Sequence, residues 1–126
     1  MAVLPHQNPQ TLEHMEFDDN KPIYIQIADN ITARILSGEL KPGERIPSVR
    51  EWGGNIGVNP NTVARSYELL SNKGIIFNQR GIGYFIAADA LDIISSAERT
   101  KFIQEEIPAF VERARLLGID LKQHIQ

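Results

Sequence analysis

Residues 40–86 read LKPGERIPSVREWGGNIGVNPNTVARSYELLSNKGIIFNQRGIGYFI, and the order of signals in this stretch decides the fold. Ser48 is a favoured N-cap, and Glu51 stands three positions on, the spacing of a capping box. The helix it opens carries Val49, Trp52 and Ile56 inward and ends at Gly57. Gly53-Gly54 is a weak point inside it, at about 1 kcal/mol per Gly relative to Ala. Gly57-Val58-Asn59 makes a three-residue turn. Asn59 can then cap a second helix, with Pro60 at its first position, where a missing N–H costs nothing. This helix runs to Lys73 and is closed by Gly74. Val63, Tyr67 and Leu70 fall on one side, and Asn61, Arg65, Glu68 and Asn72 on the other. Ile75–Gln79 and Tyr84–Ala87 are β-rich runs around Arg80-Gly81-Ile82-Gly83, which reads as a hairpin.

Outward from this stretch, Ile23, Ile27, Ile31 and Ile35 recur every four residues and predict a helix over 23–37, with Pro22 before it and Gly38 behind it. Lys41-Pro42-Gly43 is a turn, and Glu44–Ile46 has room for a very short strand. No strand candidate follows the hairpin, so the sheet should be small. Residues 1–20 are polar, aperiodic and Pro-containing, and read as a loose arm. Beyond residue 88 the pattern is helical again. Ser95 or Ser96 can cap a helix whose stripe is Ile103, Ile107, Phe110, Val111, Ala114 and Leu117, with Pro108 expected to kink it. Gly118 closes that helix, and Asp120 can cap a last short one. The fold class expected is α+β and mostly helical. An N-terminal winged helix-turn-helix over 21–87 follows an arm at 1–20, and a helical tail over 88–126 follows the wing. A kinked amphipathic tail of this size suits packing on a second copy.

The bulk numbers narrow the function classes. Hydrophobic residues make up 42% of the 126 and charged residues 23%, which is ordinary for a globular chain. No apolar run is long enough to span a membrane, and no basic-then-apolar leader opens the chain. With no cysteine there is no disulfide, thiolate metal site or Cys nucleophile, which suits a cytoplasmic location. His6, His14 and His124 are scattered without ligand spacing, so neither a metal nor a cofactor is expected. No nucleophile elbow or phosphate loop is present, so the chain does not read as an enzyme. Net charge is -3, but its distribution matters more. Residues 43–86 hold five Lys/Arg against three acids, while the segments on either side are net acidic. The helix-turn-helix is the basic part of the chain, which suits double-stranded DNA as the partner.

A helix-turn-helix projects the first turn of its second helix from the core, with free backbone N–H groups at that end. Asn61 can bond adenine or phosphate, Thr62 phosphate or a thymine methyl, and Arg65 can fork onto guanine. Arg50 can reach the backbone, and Arg80 beside Gly81 an adjacent minor groove. Taken one at a time these residues also fit a plain solvated surface, with Asn59 a simple cap. Their common order favours DNA. The rival is a winged helix turned to protein–protein contact, which would show apolar residues on that outer face.

As an ordered set the motifs resemble the GntR family of bacterial transcription regulators. They are Pro22-Ile23-Tyr24-x-Gln26-Ile27, Gly38-x-Leu40-x-Pro42-Gly43-x-x-Ile46-Pro47-Ser48-Val49-Arg50-Glu51, Gly57-Val58-Asn59-Pro60-Asn61-Thr62-Val63-x-Arg65, and Gly74-Ile75-Ile76 with Arg80-Gly81-x-Gly83-x-Phe85-Ile86. The short tail ending Ala114-x-x-Leu117-Gly118-Ile119 resembles the YtrA branch. That resemblance implies a homodimeric repressor held by its tail, bound to an inverted-repeat operator and controlling a transporter operon. It also implies DNA contacts at Arg50, Asn59, Asn61, Thr62, Arg65, Arg80 and Gly81. This chain departs from other branches at Pro60 and Ala64, where some carry Arg, at Trp52-Gly53-Gly54, and at Ile82, where a basic wing residue is frequent. The tail is too small for an effector pocket of its own. A small-molecule effector could still bind at the dimer interface and reset the spacing of the two recognition helices.

Overall fold

Four isoleucine-led turns build the first helix, α1 (Ile23–Leu36), in the computed structural model, which describes residues 16–18 and 20–125. Ile27, Ala28, Ile31 and Ile35 are buried along it, whereas Ile23 at its first turn is exposed. Most of the arm expected at 1–20 lies outside the described residues. The part described is held to α1. Gln26 donates to the carbonyls of Asp18 and Lys21, and the Asp18 N–H donates to Gln26 Oε1. Phe17 packs against the core.

Strand β1 (Arg45–Ile46), helix α2 (Val49–Ile56) and helix α3 (Pro60–Asn72) follow. The capping box at the start of α2 forms as its sequence predicts. The Glu51 N–H donates to Ser48 Oγ at 3.1 Å and the Ser48 N–H to Glu51 Oε1 at 3.0 Å. Gly57 closes α2 at φ 71, its N–H returning to the Gly53 carbonyl. Gly53 is a packing requirement rather than the weak point its composition suggested. A Cβ there would stand 2.6 Å from the Val58 carbonyl oxygen and 3.5 Å from Pro60. The missing side chain lets the turn fold tightly back on α2. At Gly54 a Cβ would meet nothing, so only that glycine costs helix stability without return.

Three polar contacts lock α3 in place. Asn59 Oδ1 accepts the Asn61 N–H at 2.8 Å, with Pro60 beginning the helix. Ser66, fully buried, donates to the Tyr24 carbonyl of α1 at 2.7 Å. Tyr67, also fully buried, donates to the Pro47 carbonyl at 2.6 Å, and burial pushes its phenol pKa far up, so it remains a donor. Its ring meets Trp52 of α2 and Tyr84 edge-on.

The wing is β2 (Ile76–Gln79) and β3 (Gly83–Ile86), and β1 adds to it in the antiparallel order β1-β3-β2. Arg45 faces Phe85, and Gln79 faces Gly83. Because residues directly opposite share a face, Arg45, Phe77, Gln79, Gly83 and Phe85 lie on the outer side, with Ile46, Ile76 and Ile86 buried on the other. The Ile82 N–H closes a tight turn onto Gln79, with Gly81 at φ 79 in the position that needs positive φ.

The core continues past residue 87. Ala90 and Ile94, four apart on helix α4 (Ala90–Lys101), are buried in it. That helix starts well before Ser95 and Ser96, which sit inside it rather than capping it. The chain divides after Ile94 into two compact units. In the second unit, Phe102–Glu106 widen into a π-turn and helix α5 (Ile107–Leu116) follows. Pro108 is the cause. It has no N–H for the carbonyl four residues back and its ring crowds that carbonyl, so the preceding turn opens and the Ile107 N–H reaches Phe102 instead. Gly118 at φ 70 ends α5, and Asp120 caps the short 3-10 turn Leu121–Gln123.

Candidate nucleic-acid interface

At the outer end of α3, Asn61 and Arg65 are exposed and Thr62 is half-buried. Asn59 spends its side-chain oxygen on the cap and keeps its amide N–H groups for a partner. The Arg65 guanidinium carbon lies 4.0 Å from the centre of the Tyr24 ring. Stacking of this kind uses the flat face of the guanidinium and leaves its edge donors open. The α1 ring thus steadies the side chain expected to read a base. Periodicity could not show it, because Tyr24 and Arg65 are far apart in the chain.

Arg50 projects from the first turn of α2 and is exposed. It lines a cleft of about 310 Å³ together with Arg45, Ser48, Val49, Asn78 and Tyr84, so α2 and the stem of the wing form one concave surface. Arg80 and Gly81 form the wing tip, both exposed, with nothing within 4 Å of where a Gly81 Cβ would stand. Arg45 counts among the basic residues of 43–86, but nothing in the sequence singles it out as a site residue. Its lone position in a two-residue strand carries no periodic signal.

The ion pairs among the described residues are Lys21–Asp29, Arg34–Glu39 and Arg115–Glu112. Arg45, Arg50, Arg65 and Arg80 take part in none of them. Their positive charge is therefore not neutralised by a paired carboxylate, which suits a polyanion. Glu51, at the start of α2, feels the charge of Arg45. Its pKa is held below the usual value first by the Ser48 backbone N–H, then by the Ser48 side chain, with Arg45 adding a smaller pull.

Of the tail positions expected to meet a second copy, Ile103, Ile107, Phe110, Val111 and Leu117 are exposed in the single chain. Ala114 is already buried and has little surface to offer a partner. Among the described residues no helix is long and apolar enough to cross a membrane.

Comparison with known proteins converges on one family. Residues 23–86 match the family model described as bacterial regulatory proteins, gntR family. The chain is 39% identical over 111 residues to the HTH-type transcriptional regulator YhcF of Bacillus subtilis, covering 88% of this chain and 90% of that one. It is 36% identical to the HTH-type transcriptional repressor YtrA of the same organism, over 81% of this chain and 78% of the relative. Among solved structures, a GntR family transcriptional regulator from Listeria monocytogenes superposes with a TM-score of 0.73 at 32% identity, over 86% of this chain and 94% of the other. The DNA-binding domain of AraR in complex with an operator aligns with a TM-score of 0.53 at 25% identity, over 58% of this chain and 93% of that domain.

Proposed function

The chain belongs to the gntR family of bacterial regulatory proteins, and from that premise we propose that it is a homodimeric repressor whose paired α3 helices read an inverted-repeat operator. That it is a DNA-binding transcriptional regulator and not an enzyme follows from the family and from relatives that are themselves regulators. The finer reading rests on one observation above the rest. Arg50 on α2, Arg65 on α3 and Arg80 on the wing are all free of carboxylate partners among the described residues, and all belong to the elements a winged helix turns to DNA.

In this reading residues 21–87 bind DNA and residues 88–126 join two copies. Asn61, Thr62 and Arg65 meet base edges, Asn59 and Arg50 hold phosphates, and Arg80 with Gly81 enters the neighbouring minor groove. A dimer doubles the few contacts one subunit makes and sets the half-site spacing. The resemblance of its tail to the YtrA branch supports reading its target as a transporter operon in a bacterial cytoplasm. A small molecule bound between two tails would change that spacing. Metabolites that shift both thermal stability and operator affinity would reveal it, and a panel with no such compound would remove that element.

Fluorescence anisotropy on the DNA upstream of its own gene, against a scrambled duplex at several salt concentrations, tests the reading. Tight, sequence-dependent and salt-sensitive binding is expected. Weak binding equal on both duplexes would count against specific recognition there and point to a protein partner for the winged helix.

A further inference from the structure

The cleft between α2 and the wing holds a second arginine that neither motif nor periodicity singled out. Arg45 leaves β1 on the outer face of the sheet and lies across the stem of the wing. A Cβ at Gly83 would stand 2.9 Å from Arg45 Nε and 3.5 Å from its guanidinium carbon. Gly83 therefore has no side chain where the guanidinium rests, and any other residue would push it off the stem. Arg50, Ser48 and Asn78 line the same cleft, with no carboxylate among the lining residues. Glu51 lies close enough for its charge to feel Arg45 but forms no ion pair with it. Its carboxylate is engaged by the Ser48 N–H.

We propose that Arg45 and Arg50 together clamp one backbone phosphate of the DNA strand running past the wing. The inference rests on the DNA-binding reading above and adds a contact to it. Two guanidinium groups line one open cleft that has no carboxylate in its lining, and both are forks suited to phosphate oxygens. A backbone phosphate fits better than a free anion because the cleft is continuous with the α2 turn and the wing, both of which face the duplex. A contact of this kind carries no sequence information. It fixes the register of α3 in the groove and adds one released counterion per subunit.

The test compares wild type with Arg45→Gln and Arg45→Lys by anisotropy over a salt series, on both the upstream DNA and the scrambled duplex. Arg45→Gln keeps length and hydrogen-bonding capacity but removes the charge. Its affinity should fall and its slope of log affinity against log salt should become shallower on both duplexes, by less than about one per subunit because Arg50 stays on the same phosphate, leaving their ratio unchanged. Arg45→Lys should keep the wild-type slope. A wild-type slope in Arg45→Gln, or an equal loss in Arg45→Lys, overturns the inference. Asn78→Asp on the exposed strand gives an independent check, since a carboxylate in the cleft should weaken binding to both duplexes. Unchanged binding would overturn the clamp as well. If wild type fails to distinguish the two duplexes, the specific-regulator reading falls, while the slopes on either duplex still decide the clamp.

Discussion

Arg65 joins two roles that sequence alone separates, a stacked side chain and an open hydrogen-bonding fork. Its guanidinium lies over the Tyr24 ring, so in the proposed complex less side-chain freedom would be lost on binding. Arg65→Ala should weaken operator binding by ~1–3 kcal/mol and relax specificity at one base position, while scrambled DNA is affected less. Tyr24→Leu should produce a smaller loss of the same kind. Anisotropy on both duplexes reads this directly, and an Arg65→Ala protein that binds its operator like wild type would place the reading face elsewhere. The outward position of Arg65 was legible from helical spacing, and so were the inward positions of Val63, Tyr67 and Leu70. The partners were not. The Tyr67 hydroxyl on Pro47, the Ser66 hydroxyl on Tyr24 and the ring beneath Arg65 are all contacts between segments distant in the chain, and no local pattern encodes them.

At the level of elements, the two adjacent glycines of α2 behave oppositely. Gly53→Ala forces a methyl against the Val58 carbonyl, so it should destabilise the chain by about 1–3 kcal/mol and disturb the turn that aims α3. Gly54→Ala points into open space on an exposed helical position and should stabilise by about 0.5–1 kcal/mol. Thermal melts of the two variants check the contrast, and a shift of the same sign in both would refute the close approach. The capping box adds a pH dependence. Glu51 has a lowered pKa in the fold, so its contribution is complete above the unfolded value of about 4.5 and is lost as pH falls through the lower folded value. Glu51→Gln, which cannot titrate, should be less stable than wild type near neutrality and lose that difference in acid. A gap independent of pH would show that the carboxylate charge does not support the cap. Caps and turn glycines were readable because their chemistry is local. The start of α4 at Ala90 was not, because it is decided by Ala90 and Ile94 packing into a core built by other segments.

For the whole molecule, a net charge of -3 leaves a single chain with little long-range attraction for DNA. The basic segment is small, and the acidic residues outside it oppose approach. In the proposed reading, specific affinity comes from short-range contacts made twice by a dimer on a two-fold operator. The chain carries the means on its second unit. Phe102, Ile103, Ile107, Phe110, Val111 and Leu117, within residues 102–117, are each at least 40% exposed. Such a concentration of apolar surface is costly in water, which supports the proposed association of two tails. Ile107→Asp places a charge at its centre. The expected result is a monomer by sedimentation, with operator affinity reduced far more than non-specific affinity, because only the specific complex needs both half-sites at once. Since Ile107 is exposed in the single chain, the melting of the winged unit should change little. An Ile107→Asp protein that still sediments as the wild type does would move the interface off this face, and a dimer that formed but bound only one half-site would show that the tail joins the chains without spacing them.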